Sequence, residues 1–507
     1  MNYDQERSAE QLRILEPELT RFVQDYKKSR PTVILLPGGL GSDLQRARQV
    51  FHDGDPAEQL DYNIAWLDAS ILCHAMELGM AGDIDDANHI CIANGPVALL
   101  GLNPYGTFTR WCDDNDFNYF VLGWDWRRVL GPSVAFFIAY FLSTLKQRVE
   151  DAYTDDPLDG FTLVGHSEGG FFVKLFLGSG SPYLQQMAQA ITVATPFYGY
   201  AGQLHRYFSG EDYLNAIYGK MAMAQLIASM RGGYALLFTD LATFLRDRAA
   251  LQADLDYPPP TYPCVDLTTG NPIDPYAPDT QPGKFRYPTG NGNWFLWNEL
   301  PIANMVRQQI TAPLPDEINA KFYNFRGVQT DGEAPVNETA VALSWDWVNP
   351  GFNPDTDASP LADVLGIGDD TIPAWSARLV STPPANVATI LGDKDDLNHM
   401  FLMEQPAILL GLGGLVAPGQ TIVMDLMKRP AAVSKPASPT ATIEFLREAR
   451  AATVDKMAVR AFLDRYDYRA LQGFARRFLM DCMKKPPIHE RRQPPQTRAA
   501  APPRRRR

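Results

Sequence analysis

The chain has 507 residues, 45% of them hydrophobic and 11% aromatic, and carries a formal net charge of -13. That length and apolar content can fill a large core and exclude a wholly disordered chain. The acidic balance argues against nucleic acid as a main partner, and five scattered cysteines without C-x-x-C spacing leave neither a disulfide framework nor a zinc signature.

Residues 1–30 read as a charged helical lead-in. Leu12, Leu15, Leu19, Phe22 and Tyr26 recur three or four apart on one edge, and Pro17 either kinks the helix or begins it. The N-terminus is polar and acidic, with no secretory leader, and apolar runs such as 134–142 and 407–417 are too short to cross a bilayer. A cytoplasmic protein is the expectation.

A first part of an α/β core is expected over 31–200. TVILL at 32–36 is a buried-strand pattern, followed directly by the glycine turn PGGLGSDL at 37–44. Residues 50–104 read as a lid-like surface excursion with one short helix, in which Trp66, Ile71 and Leu72 either flap over a site or simply pack. From Tyr105 the pattern is helix, turn at 113–116 and strand at 119–122; Arg127 beside Asp125 is either an anion ligand or half of a buried ion pair. An amphipathic helix is expected over 136–153.

FTLVGHSEGG at 161–170 is the stretch around which the chain is organised. An apolar strand runs into G-x-S-x-G at Gly165–Gly169, and an apolar helix follows. That context suits a nucleophile elbow, with Ser167 strained on the turn, against the alternative of an ordinary strand-to-helix turn. AITVA at 190–194 is a further strand. The alternation of strands and helices predicts an α/β fold with a mostly parallel sheet and a ligand at the strands' carboxyl ends.

The rhythm stops at residues 201–312, which read as a cap insertion of helical and Pro/Gly-rich pieces. Its Trp294, Phe295 and Trp297 either line an apolar substrate site or form the cap's own core. The second part of the core is expected over 313–428, with strands at 319–326 and 340–345 and loops at 366–379 and before an apolar helix near 400. A helical appendage is expected over 429–483, and a disordered Pro/Arg-rich tail over 484–507. With seven arginines from Arg491 onward, that tail suits transient contact with an anionic membrane or other acidic surface, against passive disorder.

A serine nucleophile needs a base, and the base needs an orienting carboxylate. Of seven histidines, His52, His74 and His89 precede the serine, His166 adjoins it facing away, His205 opens the cap and His489 lies in the tail. His399 remains, in a polar loop before an apolar helix. Asp369 is preferred to Asp370 as the acid, while Asp395 and Asp396 are close enough in sequence to shape the histidine loop itself.

The motifs together resemble the lecithin:cholesterol acyltransferase family, which includes lysosomal phospholipase A2. They are PGGLGSDL at 37–44, YGTFTRWCDDNDFNYFVLGWDWRR at 105–128, GHSEGG at 165–170, ATPFYG at 194–199, GDDTIP at 368–373 and LNHMFLM at 397–403. The resemblance implies an α/β-hydrolase fold with a lid and a cap, Ser167 as nucleophile, Asp369 as acid and His399 as base. It also implies oxyanion donors from the backbone of Gly39 and Glu168, and an acyl-ester substrate such as a phospholipid or other lipid. Leu40, Trp66, Trp294, Phe295 and Trp297 are the candidate substrate contacts; no cofactor and no metal are expected. Trp124 stands where that family commonly has Tyr, the disulfide-linked lid loop of its extracellular members is missing, and nothing after 429 matches. The expected function is that of a serine acyl hydrolase on a lipid or phospholipid, with acyl transfer to an alcohol also open. The alternatives are an esterase for a small soluble ester and an inactive binding module on a hydrolase fold.

Overall fold

The computed structural model describes residues 11–39, 41–50, 59–66, 91–96, 103–128, 131–154, 157–209, 220–252, 259–277, 299–330, 337–343, 361–393 and 397–424. Helix α1 spans Glu16–Asp25, with Pro17 in its first turn, where a missing N–H breaks no helical hydrogen bond, and with Glu16 and Glu18 facing the positive end of its dipole. Strand β1, Thr32–Leu36, is buried at all five positions.

The chain then forms β2 (Ser42–Val50), β3 (Gln59–Trp66) and β4 (Cys91–Pro96), an antiparallel sheet in the order β3-β2-β4. The sequence reading expected a surface excursion with a short helix here. In β3, Leu60, Tyr62, Ile64 and Trp66 fall on every second residue, which is the strand period. Residues 67–90, with Ile71 and Leu72, lie outside the described residues.

Next come α2 (Gly106–Asp114), β5 (Asn118–Val121), α3 (Pro132–Ala152), β6 (Phe161–His166), α4 (Gly169–Leu177) and β7 (Met187–Val193). The segment expected as a cap contains α5 (Gly202–Ser209), α6 (Lys220–Ser229), a 3-10 turn at Arg231–Leu236, α7 (Leu241–Gln252), β8 (Cys264–Asp266) and α8 (Glu299–Thr311). It is followed by β9 (Phe322–Gln329), β10 (Asn337–Leu343), β11 (Leu361–Gly366), β12 (Val387–Gly392) and α9 (Pro406–Val416).

Six strands make the main sheet in the order β12-β9-β7-β6-β1-β5, and every neighbouring pair is parallel. Both faces are covered, which is why β1 reads as an unbroken apolar run. Ile34 and Leu36 join the core that α1, α3 and α4 complete, together with Tyr207, Tyr234, Phe244 and Leu300 of the cap. Val33 and Leu35 point the other way, into a second core with Phe108 and Trp111 of α2 and Ile408, Leu409 and Leu412 of α9. This is an α/β-hydrolase fold with cap and lid elaborations.

One assignment from sequence needs correction. The strand expected at 340–345 is not in the main sheet: β10 pairs antiparallel with β11 and parallel with β8 of the cap segment, in a separate sheet. Its partner Cys264 faces Val341 across a long stretch of chain, a pairing that no local pattern encodes. Strand β12 falls where the sequence expectations placed no element. It is a short edge strand of alternating exposure, beside β9. Among the described residues no helix is long and apolar enough to cross a membrane.

The topology fixes where a site can form. From β1 the chain crosses to β5 on one side, then returns to β6 on the other, so the crevice at the carboxyl ends of β1 and β6 is a topological switch point. The glycine turn follows β1 there, and Ser167 follows β6.

Candidate active site

Ser167 has a φ of 53°, a left-handed conformation that costs a non-glycine residue about 1–2 kcal/mol. The turn is held by the Ser167 N–H donating to the Val193 carbonyl at 2.8 Å and the Gly170 N–H donating to the Ser167 carbonyl at 3.0 Å. Its glycines are required by close approach. A Cβ on Gly165 would stand 2.6 Å from the Gly170 Cα, and one on Gly169 would strike the Leu36 carbonyl of β1.

Asp369 reaches this point because the excursion through β10 and β11 returns the chain to the end of β9, where the Gln329 N–H donates to the Gly368 carbonyl at 2.8 Å. The histidine loop arrives from β12. The Leu397 carbonyl accepts from Gln329 Nε2 at 2.8 Å, Asn398 Oδ1 caps the 3-10 turn at Met400 N, and the His399 N–H donates to the Asp369 carbonyl at 3.0 Å. Thus β9 anchors both loops.

The side chains of the three residues form one chain of hydrogen bonds. His399 Nε2 lies 2.8 Å from Ser167 Oγ, and His399 Nδ1 lies 2.8 Å from Asp369 Oδ2. Asp369 is buried, and its Oδ1 accepts the backbone N–H groups of Ile372 at 2.7 Å and Thr371 at 3.2 Å. With a carboxylate as acceptor, the neutral imidazole carries its proton on Nδ1, leaving Nε2 to accept the Ser167 hydroxyl proton. Asp370, with a φ of 79°, instead takes a hydrogen bond from Asn398 Nδ2 at 3.3 Å. Asp395 and Asp396 lie outside the described residues.

The glycine turn lies over Ser167: a Cβ on Gly38 would be 2.8 Å from the Ser167 Cβ. Three aromatic side chains brace the turn. Tyr105 Oη accepts the Gly38 N–H at 2.8 Å, Trp124 Nε1 donates to the Pro37 carbonyl at 2.8 Å, and Trp126 Nε1 donates to the Ser42 carbonyl at 3.3 Å. Gly39 is next in the turn and faces Glu168, whose carboxyl occupies the space a Cβ on Gly39 would need.

Glu168 is buried, and its Oε1 has no hydrogen-bond partner among the described residues. Burial raises its carboxyl well above the ordinary range, against the opposing pull of the Arg307 and Arg206 guanidinium groups. Burial therefore favours the protonated form of this carboxyl beside the turn. Arg307, fully buried on α8, lies over the Phe171 ring at 4.7 Å. It donates to the carbonyls of Pro196 and Phe197 at 2.7 Å each, Leu237 at 3.0 Å, and Ala235. One guanidinium thus ties the cap to the turn after β7.

His166, expected to pack beside the nucleophile, is hydrogen-bonded at both ring nitrogens: Nδ1 to Tyr105 Oη at 3.0 Å and Nε2 to the His399 carbonyl at 3.1 Å. Burial, and secondarily the charge His399 can carry, depresses its basicity well below the ordinary histidine value. Arg127 and Asp125 form the buried ion pair, Nε to Oδ1 and Nη2 to Oδ2 at 2.8 Å each. Leu40, Trp294, Phe295 and Trp297 lie outside the described residues; the backbone of Trp66 ends β3, and its side chain lies outside them too. Sequence reasoning gave no role to Tyr105, Trp124 or Arg307, and none beyond packing to His166. Tyr105 and Trp124 sit inside quoted motifs, but nothing local marks a side chain that reaches back 67 or 87 residues.

No family model and no curated protein matches this chain. Solved structures do. One, from a structure described as the Tle4–Tli4 complex, is 12% identical, covers 78% of this chain and 100% of its own, and has a TM-score of 0.44. Another, the lin2722 product of Listeria innocua, is 8% identical, covers 77% of this chain and 96% of its own, and has a TM-score of 0.29. Neither likeness is close enough to bear on activity, which rests on the site.

Proposed function

We propose that the protein is a serine acyl hydrolase that cleaves carboxylic esters through an acyl-enzyme. The observation that carries this reading is the continuous chain Ser167–His399–Asp369, two contacts of 2.8 Å ending on a carboxylate that two backbone N–H groups hold in place. Ser167 Oγ attacks the ester carbonyl while His399 Nε2 takes its proton. Asp369 holds the Nδ1–H tautomer and stabilises the imidazolium. The N–H groups of Gly39 and Glu168 receive the oxyanion. His399 Nε2–H then protonates the departing alkoxide, and water repeats the sequence on the acyl-enzyme.

For the substrate we propose a lipid or phospholipid, as the resemblance to the lecithin:cholesterol acyltransferase and lysosomal phospholipase A2 family implies, with an alcohol able to replace water as acceptor. The Arg-rich tail would give transient contact with an anionic membrane surface, and the cytoplasm remains the proposed location. The test is turnover of a chain-length series of p-nitrophenyl esters beside phospholipid vesicles. A pocket open to an acyl chain gains about 0.8 kcal/mol per buried CH₂, so kcat/KM should climb well past butyrate. A maximum at acetate or butyrate would replace the lipid by a small soluble ester.

A further inference from the structure

Beside the Ser167–His399–Asp369 chain runs a second chain of hydrogen bonds, through the buried Gly38, Tyr105 and His166 to the half-buried His399. The Gly38 N–H donates to Tyr105 Oη at 2.8 Å, Tyr105 Oη meets His166 Nδ1 at 3.0 Å, and His166 Nε2 meets the His399 carbonyl at 3.1 Å. Its direction follows from its ends. A carbonyl only accepts, so His166 Nε2 bears a proton; a neutral imidazole then accepts at Nδ1, and the Tyr105 hydroxyl donates to it. The Tyr105 oxygen keeps a lone pair for the Gly38 N–H. Every donor is used once and none is left over.

The two ends of this chain belong to the two parts of the site that must agree in position. Gly38 precedes the proposed oxyanion donor Gly39, and the His399 carbonyl belongs to the proposed base. Resting on the hydrolase reading, we propose that Tyr105 and His166 form a positioning pair that keeps the oxyanion turn and the His399 loop in register around Ser167. Tyr105 stands before α2 and is 2% exposed, and His166 ends β6 and is 3% exposed. Both are therefore held by the core, and not by the loops they connect. The Tyr105 ring meets the His166 ring edge-on at 5.8 Å, and the His166 ring lies 5.1 Å from that of His399. Spending the Gly38 N–H on Tyr105 also fixes which N–H of the turn remains for substrate. Small misplacements of such groups are costly, because an oxyanion donor acts only within hydrogen-bond reach of the developing charge.

The experiment uses the full chain and a soluble p-nitrophenyl ester, with kcat, KM and thermal midpoint measured for each variant. Tyr105→Phe removes one hydroxyl. His166→Asn keeps an acceptor where Nδ1 stands and loses the bond to His399; His166→Gln keeps a donor where Nε2 stands and loses the bond to Tyr105. Each should lower kcat about 10- to 100-fold with KM within about twofold, as expected for loss of an interaction that matters in the transition state. His166→Leu, which breaks both bonds, should be lower than either amide. The double variant Tyr105→Phe/His166→Gln should be no worse than about threefold below the weaker single one, because both break the same link. If Tyr105→Phe does not fold, the ranking of the three His166 variants decides the matter alone. Folded variants with wild-type kcat, or His166→Leu equal to both amides, would overturn the positioning role while leaving the hydrolase reading intact. A wild-type chain that turns over no ester and takes no fluorophosphonate label would overturn both.

Discussion

Replacing Asp369 by Asn tests the proposed acid by changing one atom. In the native site Oδ1 accepts two backbone N–H groups, from Ile372 at 2.7 Å and Thr371 at 3.2 Å, and Oδ2 accepts from His399 Nδ1 at 2.8 Å. An asparagine has only one carboxamide oxygen. Turned toward the two N–H donors, it presents its NH₂ to Nδ1, which must then accept, so the imidazole proton moves to Nε2 and the base faces Ser167 in the wrong tautomer. Turned the other way, it sets an NH₂ against two backbone donors in a buried site, at about 1–3 kcal/mol for the groups left unpaired. The first arrangement wins, and kcat should fall about 10⁴-fold, equivalent to about 5.4 kcal/mol of barrier. Asp370→Asn disturbs the hydrogen bond from Asn398 at 3.3 Å and leaves the His399 contact untouched, and asparagine tolerates the left-handed φ of 79°. It should cost less than about tenfold, the range of a single hydrogen bond. The assay is steady-state ester hydrolysis, with circular-dichroism melts to show that both proteins are folded. A larger loss in Asp370→Asn, or more than a tenth of wild-type kcat in Asp369→Asn, would refute the reasoning.

Glu168→Gln should alter how stability depends on pH. Below the ordinary carboxylate value of 4.5 Glu168 is protonated folded or unfolded; above it the unfolded chain releases the proton and the folded one keeps it, so wild-type stability falls by about 1.4 kcal/mol per pH unit until the raised folded value is reached. Gln carries no such dependence, so the difference in thermal midpoint, variant minus wild type, should grow as pH rises from 4.5; a flat or shrinking difference would show that Glu168 is charged in the folded protein. Arg307→Lys should lower stability by at least about 2 kcal/mol, since one ammonium cannot reach four carbonyls from two segments, and an unchanged melt would show that the guanidinium is not what fastens the cap. Truncation after Met483 should weaken binding to anionic vesicles at low salt without changing turnover of a soluble ester, and equal binding would leave the tail passive.

Legibility in the sequence followed locality. TVILL carries a strand signal, FTLVGHSEGG carries strand, turn and helix signals in one short stretch, and their elements lie where those signals point. The pairing of β10 with β8 joins residues such as Val341 and Cys264, which share no pattern. Edge strand β12 is six residues of half-exposed sequence, too weak a signal against the Pro-rich turn before it. In β3 the alternating Leu60, Tyr62, Ile64 and Trp66 could have been read, had the acidic surroundings not suggested a surface helix. Within the site, the elbow motif pointed to Ser167 and elimination among the histidines to His399, while Asp369 was preferred to Asp370 without a local signal that separates them; the structure brings Ser167, His399 and Asp369 to within hydrogen-bond distance. Tyr105, His166 and Arg307 act through contacts between segments far apart in the chain, and become visible only once the strands are assembled.

Labelling with a fluorophosphonate tests the central claim most directly, because the reagent reports an activated serine whatever the natural ester proves to be. Intact mass and peptide mapping should find one equivalent on Ser167, no label in Ser167→Ala, and labelling slowed by at least about a hundredfold in His399→Ala. A folded wild-type chain that remains unlabelled, or a label carried by another residue, would contradict it.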